Sequence, residues 1–253
     1  MDAEFEVRYV KLVDIIKSWT DVYLDLSGAD ILDFGCGEAI TALGFARRVN
    51  AKSVSAVDIM PDVLRCCDRS VQNLGVSPPA NLLTKQITPA EDFLPGKMFD
   101  LIYSWSVFEH IDQTIFDEVI AQLQSRLKPG GLLFTQIAPL FYSADGSHLS
   151  HRVPQPWAHL TMQDDLYYKR LGEACTSMEE RDALWACFST LNKLTAPELV
   201  RRLDRTGMTL LRQYTSEIEN QEPPPAALLE VFTREVLMTN QVVLLYRNDR
   251  SSG

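Results

Sequence analysis

The sequence holds no apolar run near the roughly 18 consecutive residues that a bilayer-spanning helix needs. Positive charge is also scarce, with 24 Lys and Arg against 34 Asp and Glu and a formal net charge of −10. Binding phosphates requires clustered cations, so this balance argues against a nucleic-acid partner and against docking on an anionic membrane. The five cysteines (Cys36, Cys66, Cys67, Cys175, Cys187) are odd in number and form neither a C-x-x-C pair nor a zinc-ligand spacing. Reduced thiols in a cytoplasmic protein are the expectation. The opening MDAEFEVRYV lacks the basic, then hydrophobic, then small-residue order of a secretory signal. No internal repeat and no Ser/Gly linker divides the chain, so residues 1–253 read as one domain. Within it, about 1–27 read as an N-terminal helical segment and about 140–192 as an insertion.

What is present is the balance of a globular protein, 46% apolar and 23% charged. From about residue 30, β-rich runs alternate with helical patterns. ADILDFG, SVSAVDI, NLLTKQI, FDLIYSWS and GLLFTQIAPL read as strands. TALGFARRV, PDVLRCCDRSVQNLG and TIFDEVIAQLQSRL read as helices, the last with Ile115, Val119, Leu123 and Leu127 on its apolar face and stopped by KPGG. Further on, MTLLRQYTSEI and QVVLLYRN read as strands flanking a single Pro-led helix, PPPAALLEVFTREVL. Strands that are apolar throughout and separated by helices predict an α/β fold, a doubly wound, mostly parallel seven-stranded sheet covered by helices on both faces.

The sharpest local signal is ILDFGCGEA. A buried strand delivers Asp33, and Gly35 and Gly37 follow in a tight strand-to-helix turn, where a β-carbon would block the approach of a ligand. The third glycine of G-x-G-x-x-G is absent, since Ile40 stands there, and an acid two residues before Gly35 suits a cationic amino group better than a pyrophosphate. The alternative is a plain strand-to-helix turn. Asp58 ends the second strand 21 residues beyond Gly37, where an acid can accept from both hydroxyls of a ribose or can cap the next helix.

Four landmarks in order, LDFGCG, AVDI, PAEDF with FDLIYSWSVFEHI, and LKPGGLLF, resemble those of class I S-adenosylmethionine-dependent methyltransferases of small molecules. The resemblance runs from about residue 28 to the end of the chain and implies a last strand inserted antiparallel. It implies S-adenosyl-L-methionine as cofactor, with Asp33, Gly35, Cys36 and Gly37 at its methionine part and Asp58 at the ribose. Ile59 would pack on the adenine, Ala90, Glu91 and Asp92 would lie at the adenine edge, and Ser104 near the methionine or reacting centre. Relatives carry a small acidic start where Ile87 and Thr88 stand here, which leaves Glu91 and Asp92 open to being solvated loop charges.

The acceptor side is expected in the insertion, a lid leaving the fifth strand. Three of the four histidines, His148, His151 and His159, fall there, with Phe141, Tyr142 and Trp157. A His suits proton removal near neutral pH, so His148 and His151, with His110 of FEHI, are the candidate bases; the alternatives are that the insertion histidines bridge loop backbone groups and that His110 is an active-site wall or a hydrogen-bonded helix residue. Trp105, Phe141, Tyr142, Trp157 and His159 are the candidate substrate-pocket residues, with Tyr167, Tyr168 and Trp185 as further walls or as lid core. No ligand spacing for a metal shows, so no residue is assigned to one. The expected function is methyl transfer to a small molecule, most simply to a hydroxyl oxygen. A nicotinamide-dependent oxidoreductase and a non-catalytic S-adenosylmethionine-binding protein are the alternatives, and a homodimer is the assembly to test. A (D/N)PP(Y/F) motif, which would orient an exocyclic amine, is absent: SWSVF stands in its place.

Overall fold

A computed structural model describes residues 1–88, 93–219 and 221–250. Its seven strands are β1 (Asp30–Phe34), β2 (Ser53–Asp58), β3 (Leu82–Gln86), β4 (Phe99–Trp105), β5 (Leu127–Ile137), β6 (Thr209–Glu217) and β7 (Thr239–Arg247). They form one sheet in the order β3-β2-β1-β4-β5-β7-β6, and β7 runs antiparallel to both neighbours. This is the expected doubly wound, mostly parallel architecture with an antiparallel last strand. No helix among the described residues is long and apolar enough to cross a membrane.

Alternation along the strands supplies two cores. Ile31 and Leu101 face a cluster with Phe5, Val13 and Ile16 of the N-terminal segment and Phe45 of the helix Ile40–Arg48. Leu32 and Ile102 face the opposite cluster, with Phe116, Ile120 and Leu199. The N-terminal segment is helical over Ala3–Thr20, with a π-helical stretch at Val7–Leu12. It packs so closely on the helix Ile40–Arg48 that a β-carbon at Gly44 would meet the Tyr9 carbonyl and the Val13 side chain.

Three local readings change. The helix Phe116–Ser125 buries Phe116, Ile120, Leu123 and Gln124, so Leu123 keeps its expected place while Phe116 and Ile120 replace Ile115 and Val119 as the most buried positions, and Leu127 already begins β5. The KPGG segment lies inside β5, because Lys128 bonds the carboxylates of Asp30 at 2.9 Å and Asp100 at 2.7 Å and holds the strand start against β1 and β4. The expected single helix between the last two strands is two, Ala226–Leu229 and Arg234–Met238, because the Thr233 hydroxyl accepts from the Val236 amide and starts a new helix.

The segment between β5 and the helix Ala196–Asp204 carries three helices, Ala158–Thr161, Asp164–Ala174 and Met178–Ser189. It has its own apolar cluster of Phe141, Leu149, Val153, Tyr167, Leu171 and Phe188. A β-carbon at Gly146 would strike the backbone of Leu140 and Phe141, so glycine is required where this segment folds back on itself.

Candidate active site

In this fold, ligands sit beyond the carboxyl ends of the parallel strands. Gly35, Cys36 and Gly37 follow β1 there, and the amides of Gly35 and Cys36 donate to the Val57 carbonyl at 2.9 and 3.1 Å, clipping the turn to β2. Asp58 ends β2 with its carboxylate accepting from the amides of Gly37 at 2.7 Å and Met60 at 2.9 Å. Asp58 thus braces the glycine turn and the residue before Pro61, while the helix Pro61–Arg65 itself has no side-chain cap. Beside it Ile59 and Met60 are exposed, an apolar ledge at a strand end.

Gly35 departs from its expected reason. Its φ is +76°, and the space that a β-carbon would take is filled by the Val107 side chain, so the close approach is protein on protein. Over Gly37, by contrast, a β-carbon would meet only the Arg8 guanidinium, at 3.7 Å. The residues fit a methionine-bearing nucleoside: a glycine cradle, a carboxylate at the second strand end, an exposed apolar ledge and one cation across the turn. Arg8 was not legible in sequence, because an arginine in an amphipathic N-terminal helix carries no local mark.

Asp33 lies beneath the turn, 3% exposed, and accepts from the Tyr103 hydroxyl at 2.7 Å. Burial, reinforced by the Asp58 charge, pushes its carboxyl up to about 7 against that bond and the Arg8 charge. Cys36 has its thiol pushed well up by burial, so it is no thiolate. Ser104 is fully buried and its hydroxyl finds no hydrogen-bond partner among the described residues; its register neighbour on β5, Thr135, is in the same state. The Ser104 side chain is thus closed off from solvent at the end of β4. Ala90, Glu91 and Asp92 lie outside the described residues.

Beyond β4, the turn Phe108–His110 brings Glu109 and His110 to His148 of the insertion. The His110 and His148 rings meet edge to face with centroids 5.0 Å apart. His148 has a left-handed backbone (φ 61°), and its Nε2 lies 3.1 Å from the Pro139 carbonyl oxygen. A carbonyl only accepts, so Nε2 carries the proton and Nδ1 the free lone pair. Burial, with the neighbouring His110, pushes His148 down to about 4, and burial lowers His110 as well, so both imidazoles are neutral at pH 7. Glu109 is 4% exposed, and neither carboxylate oxygen has a hydrogen-bond partner of good geometry among the described residues. Burial pushes it up to about 8, offset only in part by the nearby Glu109 and Ala138 amides. Asn192, at the far end of the insertion, donates its amide to the Glu109 carbonyl at 2.9 Å and its side chain to the Phe108 and Ile111 carbonyls, locking the turn. Neither Glu109 nor Asn192 was singled out in sequence; Glu109, as the neighbour of a candidate His, was within reach of it.

The other candidates disperse. His151 is exposed and stands apart from this group. His159 is 8% exposed, with Nε2 at 2.6 Å from the Phe141 carbonyl and its ring against Phe141 and Phe188. Trp157 is 1% exposed, its indole donating to the Tyr142 carbonyl at 3.2 Å. These two are core of the insertion, because a large ring with one polar atom is cheaply buried once that atom is bonded. Tyr167 is likewise core, while Tyr168 and Trp185 line a separate outer hollow with Asp164, Asp165 and Asp182. Phe141 is mostly buried but borders a tight crevice with Glu109, Pro139, His148 and Asn192. Tyr142 is half-buried against Phe232, and Trp105 stacks on Phe134 at the end of β4.

The sheet order, the glycine turn and the acid ending β2 define a class I S-adenosylmethionine-dependent methyltransferase fold. Residues 31–131 match the family described as Methyltransferase domain. A ubiquinone biosynthesis O-methyltransferase of Rickettsia felis is 27% identical over 135 residues, covering 52% of this chain and 52% of that protein. The chain spans about half the length of the curated relatives it matches. Among solved structures, magnesium protoporphyrin IX methyltransferase of Synechocystis with bound SAH superposes with a TM-score of 0.55 at 14% identity, covering 98% of this chain and 85% of that one. The [4+2]-cyclase SpnF superposes with a TM-score of 0.57 at 14% identity, covering 95% and 81%. That a cyclase shares the fold shows that the fold alone does not choose the reaction.

Proposed function

We propose that the chain transfers the methyl group of S-adenosylmethionine to a hydroxyl oxygen of a small-molecule acceptor. The reading is carried by the Gly35–Gly37 turn braced on the Asp58 carboxylate, with Ile59 exposed beside it. Asp58 then takes the ribose hydroxyls, Ile59 the adenine face, Arg8 the methionine carboxylate and Asp33 the side of its ammonium. The cofactor supplies a methyl group on a positively charged sulfur, open to in-line attack. The residues of the chain align the acceptor and exclude water, which is where such a displacement gains most of its rate. Oxygen is supported by the neutral His110 and His148, whose lone pairs can take a hydroxyl proton as the carbon–oxygen bond forms and the carbon–sulfur bond breaks, and by the likeness to ubiquinone biosynthesis O-methyltransferases. The insertion between β5 and the helix Ala196–Asp204 acts as the lid over the acceptor.

Calorimetric titration decides the cofactor class: S-adenosylmethionine and S-adenosylhomocysteine are expected to bind and NAD not to bind. Binding of NAD alone would overturn the reading in favour of an oxidoreductase. Release of S-adenosylhomocysteine with phenolic or sugar hydroxyl acceptors then tests the oxygen assignment.

Two substitutions probe the turn. Asp58→Ala removes the ribose acceptor and leaves the Gly37 and Met60 amides without their partner. Each hydrogen bond to a charged group contributes about 1.5–3 kcal/mol, so S-adenosylmethionine affinity is expected to fall roughly tenfold or more. Unchanged affinity in a folded variant would take Asp58 out of the site. Arg8→Gln is expected to weaken S-adenosylmethionine severalfold while leaving binding of the decarboxylated donor unaffected. An equal loss for both donors would show that Arg8 does not meet the carboxylate.

A further inference from the structure

We propose that Glu109, His110 and His148 form a binding site for one divalent transition-metal cation at the acceptor side of the glycine turn. One donor atom from each residue lies within 4.8 Å of the others. An ion held at about 2.1 Å by three donors keeps them roughly 3–4 Å apart, so closing onto it takes side-chain adjustments of about an ångström.

Two independent features point to an ion. The first is Glu109. A carboxyl group that is nine-tenths buried with neither oxygen in a hydrogen bond of good geometry is costly to ionise unless something cationic meets it. The second is His148. Its Nε2–H donates to the Pro139 carbonyl, which fixes the tautomer with the lone pair on Nδ1. A backbone carbonyl holding the outer nitrogen is the usual support of a metal-ligating imidazole. Two imidazoles with one carboxylate select Zn²⁺, Mn²⁺, Fe²⁺ or Co²⁺ over Mg²⁺ and Ca²⁺, which prefer all-oxygen sets. Three protein ligands leave coordination positions open.

The location gives those open positions a use. Glu109 and His110 follow Val107, whose side chain sits on Gly35 of the cofactor turn, while His148 comes from the insertion. A hydroxyl bound to the cation gives its proton to water more readily, and its oxygen is held facing the methyl donor. This use rests on the O-methyltransferase reading, with the cation taking over the activation there given to the bare imidazoles; binding of the ion does not rest on it.

The test is titration of the chelator-treated full-length protein with Co²⁺, read by visible absorption, and with Mn²⁺, read by the loss of the free-ion electron paramagnetic resonance signal. One equivalent is expected to bind. Glu109→Gln and His110→Ala, each removing one ligand, should weaken binding roughly tenfold or more, since even supporting partners of a metal site are worth about 10–100-fold. His151→Ala should leave it unchanged. His148→Ala is the third variant, and because its loop backbone is unusual, His110→Ala serves should that variant not fold. No binding to the wild type, or binding that none of these substitutions weakens, overturns the site. Metal binding without S-adenosylmethionine binding would instead sink the methyltransferase reading and leave the site standing, and the reverse result would do the opposite.

Discussion

Gly35→Val is expected to abolish S-adenosylmethionine binding and to lower the melting temperature substantially. The backbone at Gly35 has a φ of +76°, which a β-branched residue adopts only under strain. The new β-carbon would also overlap the Val107 side chain, whose own β-carbon lies 2.9 Å from that position. Strain and overpacking of this kind together cost about 2–5 kcal/mol. Relief requires moving either the turn, which carries the Gly37 amide bonded to Asp58, or the stretch after β4, which carries Glu109 and His110. Both movements damage the site, one on its donor side and one on its acceptor side. Calorimetry and thermal melting measure the two effects. Gly35→Ala should show a smaller loss of the same kind, and adding Val107→Ala, which removes the two closest atoms, should restore part of its stability. A Gly35→Val protein that binds the cofactor normally would show that the contact with Val107 does not shape the site.

The architecture was readable because it rests on period and punctuation. The strand DILDF is buried on both faces, Gly75 ends the helix Cys66–Leu74 in a left-handed turn, and Thr195 with Glu198 forms a complete capping box. The glycine turn and Asp58 were readable for the same reason, since their spacing is set by one strand, one turn and one helix. The group we propose as the acceptor side was not, because it is assembled across distance. Glu109, His148 and Asn192 are brought together by an insertion that folds on its own core. Histidines crowded in sequence need not meet in space: His148 points toward His110, His151 stays exposed and His159 fills the core against Phe188. Aromatic content misled in the same way. Trp157 was expected to line a pocket and Tyr167 to be a wall or lid core, and both are core, because a segment of this size needs large side chains to stabilise its own folding before it can spare any for a ligand.

Asp33→Asn is expected to change how both stability and cofactor affinity depend on pH. The Asp33 carboxyl is 3% exposed and titrates near 7, against an ordinary value of 3.8, through burial and the charge of Asp58. The folded-state value is raised above the unfolded one, so its favourable contribution is full below about pH 4 and is lost as pH climbs through 7. The difference is on the order of 4 kcal/mol for a fully buried group. Asparagine keeps an oxygen for the Tyr103 hydroxyl and carries no charge, so the variant should lose this part of the pH dependence and melt as high as the wild type, or higher, at pH 8. Glu109 contributes in the same direction in both proteins, so the difference between their melting curves from pH 4 to 8 isolates Asp33. Affinity should move the opposite way. A donor carrying an ammonium and a positively charged sulfur favours the ionised Asp33, so binding to the wild type should release a proton near pH 7 and tighten from pH 6 to 8. Calorimetry in buffers of different ionisation enthalpy reads that proton directly. In Asp33→Asn the release should vanish, and binding at pH 8 should be weaker than in the wild type. Identical pH profiles for the two proteins would mean that Asp33 is ionised throughout or does not sense the cofactor, and its place beside the methionine ammonium would be lost.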